Sequence, residues 1–191
     1  ASAPAVAPLA AAAAPRAAAA DGPDVVVVGS GVAGMTAALR ILDRGGRVTL
    51  VEKERRLGGN SAKASSGING CCPPHSRAER NAADTVDAFA ADTAKSAKRD
   101  SGGLIALLAR SSEGAIEWLR DRTKVDLSKM AQLGGHSYAR THRPANGMIG
   151  AELVYALQRE VRKFEGSGRL SLLTSTRVAS LLHEGGAVAG V

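Results

Sequence analysis

The chain has 191 residues, 45% apolar and 23% charged, which suffices for one soluble globular domain with a real core. Its net charge of +7 invites a nucleic-acid reading, but the basic residues are scattered and aromatics make up only 3%, so bases would find little to stack on. No run of 18 or more apolar residues escapes charge and helix breakers, which excludes a membrane-spanning helix.

Residues 1–22 are almost all Ala and Pro, carry one arginine (Arg16) and reach their first acid at Asp21. Such a segment has too little bulk to bury, and disorder is expected. A transit-peptide remnant and a plain linker both remain open, so mitochondrial, plastid and cytoplasmic locations do too. The folded domain is expected over residues 23–191.

From Asp24 the pattern changes. "DVVVVG" reads as a strand buried on both faces of a parallel sheet. Val32 to Arg44 reads as a helix with Met35, Ala38, Leu39 and Leu42 on one stripe, stopped by Gly45 and Gly46. "RVTLVE" is a second buried strand, and the three together make a βαβ unit with a right-handed crossover.

Gly29, Gly31 and Gly34 spell G-x-G-x-x-G between that first strand and its helix, with Ser30, Val32 and Ala33 between them. The first glycine permits a tight turn, the second a close approach to a pyrophosphate, and the third close packing of helix on strand. Phosphates would sit over the helix amino terminus, where orphan N–H groups and the dipole favour negative charge. Glu52, 23 residues after Gly29, can accept the hydroxyls of an adenosine ribose and would repel a 2′-phosphate, which disfavours NADP. Lys53 follows it. The next segment, "ERRLGGNSAKASSGING", separates FAD from NAD. Its small side chains suit a loop passing back along an extended dinucleotide with a bulky ring, whereas a plain dehydrogenase would proceed to another helix. Gly58, Gly59, Asn60, Ser61, Ala64, Ser65, Ser66, Gly67 and Ile68 are its candidate cofactor-binding residues.

The adjacent Cys71 and Cys72 fit neither CxxC nor a metal spacing, and two thiols make no disulfide framework; a reducing compartment fits best. Ala78 to Lys98 and Ser101 to Arg120 read as long helices, the second carrying Leu104, Ile105, Leu108, Ile116 and Leu119, with Trp118 as a core residue. In "GGHSYARTHRPANG", His136, His142 and Arg143 could bind a dicarboxylate or flavin phosphates, or could be structural; the glycine-rich backbone there is the better candidate for flavin proximity. His75 and His183 read as surface residues. A third amphipathic helix places Leu153, Leu157, Val161 and Phe164 together, followed by strands with Gly185-Gly186 as a hairpin turn.

"VVVVGSGVAGMTAALR", "VEKERRLGGNSAKASSGING" and "AQLGGHSYARTHRP" together resemble the soluble fumarate reductase flavoproteins of fungi and trypanosomatids, in the wider succinate dehydrogenase/fumarate reductase FAD superfamily. The resemblance runs from about Asp24 to Val191 and implies an α/β fold: a Rossmann-like FAD-binding domain with a parallel sheet and a helical insertion, incomplete at the C-terminus. It implies FAD extended across the glycine motif, Glu52 and the GGNS to SSGIN loop, with backbone contacts to adenine at Val178. Asn60 stands where complex II carries its flavin-linking histidine, so non-covalent FAD is expected. The implied reaction is reduction of fumarate to succinate by hydride transfer from flavin N5, with a small dicarboxylate as substrate and no nucleic-acid or membrane partner. Relatives reducing other enoates or urocanate, ketosteroid dehydrogenases, L-aspartate oxidase and a non-catalytic flavin-binding fragment are the alternatives. The catalytic arginine and histidine residues are expected beyond Val191, and no metal is expected.

Overall fold

A computed structural model of the chain describes residues 24–73, 83–99 and 103–191. The Ala/Pro leader, His75 and the expected starts of the two middle helices lie outside these residues.

Strand β1 (Asp24–Val28), helix α1 (Val32–Asp43) and strand β2 (Arg47–Val51) form the anticipated βαβ unit. After β2 come a short 3-10 helix at Gly59–Lys63 and strand β3 (Ile68–Asn69). Helices α2 (Val86–Ala97) and α3 (Leu104–Thr123) form the insertion. Strands β4 (Lys129–Ala131) and β5 (Thr141–Arg143), helix α4 (Ile149–Arg162) and strand β6 (Leu170–Leu173) follow. The hairpin β7 (Leu182–Glu184) and β8 (Ala187–Gly190) turns at Gly185-Gly186, both at positive φ, as expected.

The main sheet is parallel in the order β1-β2-β6. Its register aligns Val25 with Val48 and Leu170, and Val27 with Leu50 and Leu172. Alternation along a strand sends those rows to one face, where α1 and α4 cover them. All four residues of the α1 stripe are buried there, as are Leu153, Leu157 and Val161 of α4. Helix α1 ends because Gly45 adopts φ +84° and the amides of Gly45 and Gly46 return to the carbonyls of Leu42 and Ile41. Ile116, Leu119 and, partly buried, Trp118 attach α3 to the same core.

One sequence expectation changes. Strand β1 is not buried on both faces: Val26 and Val28 are 43% and 56% exposed. Among the described residues β1 pairs with β2 alone, and the sheet face opposite α1 has no covering layer over these two valines. Leu104 and Leu108, apolar positions at the start of α3, are 58% and 52% exposed, because α3 meets the core through its carboxyl-terminal half. A second, antiparallel sheet, β3-β5-β4, carries the end of the small-residue loop.

Candidate cofactor site

The loop after β1 begins with Gly29 at φ +92°, and its amide reaches the carbonyl of Val51 at 2.8 Å, tying the fingerprint to the end of β2. A Cβ on Gly34 would lie 1.9 Å from the carbonyl oxygen of Gly29, so only glycine lets α1 start this close to the strand. Gly31, at the N-cap of α1, offers no capping side chain. Instead the Val32 amide donates to Ser61 Oγ, 3.2 Å away on the 3-10 helix.

Glu52 follows directly, and it is buried. Its Oε2 accepts from the Ser30 amide at 3.0 Å and the Ser30 hydroxyl at 2.6 Å, and its Oε1 accepts from the Glu54 amide at 2.9 Å. Ser30 Oγ also accepts from the Gly58 amide at 3.0 Å. Ser30 therefore joins the fingerprint, the acid and the start of the small-residue loop. Burial alone would raise the Glu52 pKa, but the Ser30 hydroxyl and the amides of Glu54, Ser30 and Lys53 outweigh it and hold the carboxyl below its ordinary value. Much of the acceptor capacity expected for two ribose hydroxyls is thus already engaged inside the protein.

Helix α4 fixes the rest of the loop. The Gly150 amide donates to the Ala64 carbonyl at 2.9 Å, and a Cβ on Gly150 would lie 2.2 Å from the Ser61 carbonyl oxygen. Gln158 Nε2 donates to the Leu57 carbonyl at 3.0 Å. On the other side, chain beyond β6 runs along the acid: the Thr176 amide donates to the Glu52 carbonyl and the Ser175 amide to that of Glu54. This carries Thr176, Arg177 and Val178 in, although Val178 lies past the end of the strand that was expected to hold it.

Together these elements enclose a cleft of about 1210 Å³. Of the anticipated residues, Gly29, Ser30, Gly31, Glu52, Lys53, Gly59, Asn60 and Val178 line it. Val32, Ala33, Gly34, Gly58 and Ser61 build its frame without lining it. Ala64, Ser65, Ser66, Gly67 and Ile68 continue from it to β3, the two serines exposed. The sequence reading missed Arg55, Arg56, Tyr155, Gln158, Arg162 and Arg177, all of which line the cleft. Arg55 and Arg56 adjoin the acid in sequence; the others come from distant elements, and only packing brings them here.

His136, His142 and Arg143 do not line the cleft, nor do Gly134 and Gly135. His142 is buried, with Nδ1 at 3.3 Å from the Leu127 carbonyl and Nε2 at 3.0 Å from that of Gly70, a structural placement. His136 Nδ1 lies 3.2 Å from Arg140 Nη1. Arg140 is fully buried, bonded through Nε and Nη2 to Asp84 and through Nη1 to Asp92, and packed on the Phe89 ring at 4.9 Å. No feature of the sequence announced this group, because Arg140 lies some fifty residues from the stretch that carries Asp84 and Asp92. His183 is exposed, as expected.

An uncapped helix start, a carboxylate at the end of β2 and a cleft rimmed with arginines suit a dinucleotide whose pyrophosphate is anionic and whose ribose donates hydroxyls. A family model described as FAD binding domain matches residues 24–191. The chain belongs to this FAD-binding family. Its cofactor is FAD, and the glycine turn, the open helix start and the basic rim fit that group. Fumarate reductase 1 of Saccharomyces cerevisiae is 45% identical over 142 residues, 73% of this chain and 30% of that protein. The fumarate reductase of Schizosaccharomyces pombe is 36% identical over 161 residues, 82% of this chain and 31% of that one. Among solved structures, the open conformation of a flavocytochrome c3 fumarate reductase matches with a TM-score of 0.76 at 30% identity, covering 86% of this chain and 28% of that chain. This FAD-binding chain therefore spans less than a third of these relatives' length. Among the described residues, no helix is long and apolar enough to cross a membrane.

Proposed function

We propose that the chain supplies the FAD-holding part of an oxidoreductase that reduces fumarate to succinate. The observation that carries this reading is the cleft that Ser30, Glu52 and the Gly59–Lys63 turn line together, in a chain 45% identical over 142 residues to a yeast fumarate reductase.

When bound, FAD supplies hydride exchange at its N5. This chain's residues bind and orient. The start of α1 and the arginines of the rim meet the pyrophosphate. Glu52 meets the adenosine ribose while holding Ser30 in place. Val178 and its neighbours close the adenine end. Asn60 carries no ring nitrogen able to form a flavin link, so the cofactor is held without a covalent bond. The dicarboxylate substrate is recognised by residues outside this chain's cleft.

Two measurements test the reading. Purified protein mixed with FAD and desalted is expected to keep a flavin absorbance spectrum, and acid precipitation is expected to leave the yellow colour in the supernatant. The full-length protein containing this chain is expected to oxidise reduced viologen when fumarate is added. Reduction of an oxidised dye by 3-ketosteroid or L-aspartate, with no fumarate-dependent oxidation of viologen, would move the assignment to another branch; a colourless protein would end it.

A further inference from the structure

The adjacent Cys71 and Cys72, which the sequence reading left without a role, are bonded to each other as a disulfide. They follow Gly70, the residue after β3, where the small-residue loop ends. A bridge between neighbours closes only its own peptide unit. Disulfide stabilisation by loop closure grows with the length of chain enclosed, so this one adds almost nothing as a structural tie. Metal chelation fits no better: the carboxylate that the described residues bring near the sulfurs, Asp84, is already engaged by Arg140 through both oxygens.

The surroundings serve both oxidation states. Cys71 is fully buried and Cys72 only half-buried, so one sulfur is open to attack and the other is shielded. Cys72 Sγ lies 3.2 Å from the Asp84 carbonyl oxygen. A disulfide sulfur has no hydrogen to donate, so that acceptor is used only when Cys72 is a thiol. In the bonded state Cys72 holds φ 60°, a left-handed conformation that a non-glycine residue rarely adopts. The same short segment is bound at three points, two on the β5 stretch and one on α3. The Gly70 amide donates to the Arg140 carbonyl at 2.9 Å, the Gly70 carbonyl faces His142 Nε2 at 3.0 Å, and the Cys71 amide donates to Ser112 Oγ at 2.9 Å.

We propose that Cys71–Cys72 is a thiol–disulfide switch that sets how firmly β3, and with it the end of the flavin loop, is held against β5 and α3. The reductant is a small or protein dithiol. Its thiolate attacks Cys72 Sγ, the S–S bond breaks, and the electron pair goes to Cys71 Sγ, which takes up a proton. The reductant's second thiol then attacks the mixed disulfide and releases Cys72 as a thiol. Two electrons and two protons pass to the cysteines, and the dithiol becomes a disulfide. Freed from the ring, Cys72 leaves the left-handed region, and the bonds at Gly70 and Cys71 loosen. Only the effect on the cofactor rests on the function proposed above.

The test uses wild-type protein after diamide or dithiothreitol treatment. Acid quenching, alkylation in denaturant and trypsin then read the peptide of residues 64–77, which holds both cysteines. It is expected unlabelled and two hydrogens lighter after diamide, and doubly labelled after dithiothreitol. Hydrogen exchange at the amides of Gly70 and Cys71 is expected to run at least fivefold faster in the reduced protein, and FAD binding to weaken at least threefold. Cys72→Ser, and separately Cys71→Ala with Cys72→Ala, are expected to abolish the difference between the two treatments. Two labels after diamide, or equal exchange in both wild-type states, would overturn the switch. If labelling and exchange change as expected but neither state binds FAD, the switch stands and the cofactor reading falls.

Discussion

Glu52→Gln removes a charge while keeping the shape, and its cost follows from three bonds. Two come from Ser30, at 3.0 and 2.6 Å, and one from the Glu54 amide at 2.9 Å. A hydrogen bond to a carboxylate is worth about 1.5–3 kcal/mol, roughly twice a neutral one. With the Gln oxygen turned to Ser30, both Ser30 bonds persist but lose about 1 kcal/mol each. The Gln NH₂ then faces the Glu54 N–H, donor against donor, and a half-buried amide loses its acceptor for about 1 kcal/mol more. The sum is about 3 kcal/mol. Urea unfolding of the cofactor-free protein, followed by circular dichroism at pH 7, measures it without reference to FAD. Because the folded-state pKa is depressed from 4.5, the stabilisation is present above the ordinary glutamate range and lost as pH falls through and below it. The wild-type advantage over Glu52→Gln should therefore shrink between pH 6 and acid. A loss under about 1 kcal/mol at neutral pH, or one independent of pH, would refute the view that this carboxylate is an anchor as well as a ribose contact.

Gly34→Ala places a methyl 1.9 Å from a backbone carbonyl that has no rotamer to change; it should cost about 3 kcal/mol of unfolding free energy and abolish FAD retention on desalting. Arg140→Met leaves Asp84 buried and unpaired, for an expected loss of about 3–5 kcal/mol in urea unfolding; adding Asp84→Leu should restore much of it, since replacing both partners removes the stranded charge. Asp92 is held at a pKa of about 2 by the Ser137 amide first, against the opposing effect of burial, then by the Ser137 hydroxyl and Arg140. Its stabilisation is present above pH 3.8 and lost as pH falls toward 2, so the urea midpoint should drop over that window, and less steeply in Ser137→Ala.

The parts of the site legible in sequence were those made by contiguous chain. The spacing of Gly29, Gly31 and Gly34, the apolar run before them and the acid 23 residues on all report local backbone needs, and the structure sets them at the β1–α1 turn, on β1 and at the end of β2. The stripe on α1 was equally plain, because a helix of fixed period has one way to face a core. Leu104 and Leu108, exposed at the start of α3, show the limit of that signal: periodicity identifies an apolar face but does not say how much of the helix the neighbouring layer reaches. His142 belongs to the same difficulty. A histidine near glycines suggests chemistry, yet this one is lodged between two backbone carbonyls.

By itself, then, the amino-acid order determined the βαβ unit, the nucleotide it accommodates and the glycines that allow the approach, since these depend on φ angles, helix period and strand alternation within some forty residues. Only the tertiary structure decided that Ser30 fastens Glu52 to Gly58, that α4 and the chain after β6 complete the cleft, and that Cys71 and Cys72 are bonded to each other. Those outcomes depend on which distant surfaces are buried together, and burial is a property of the packed chain rather than of any one segment.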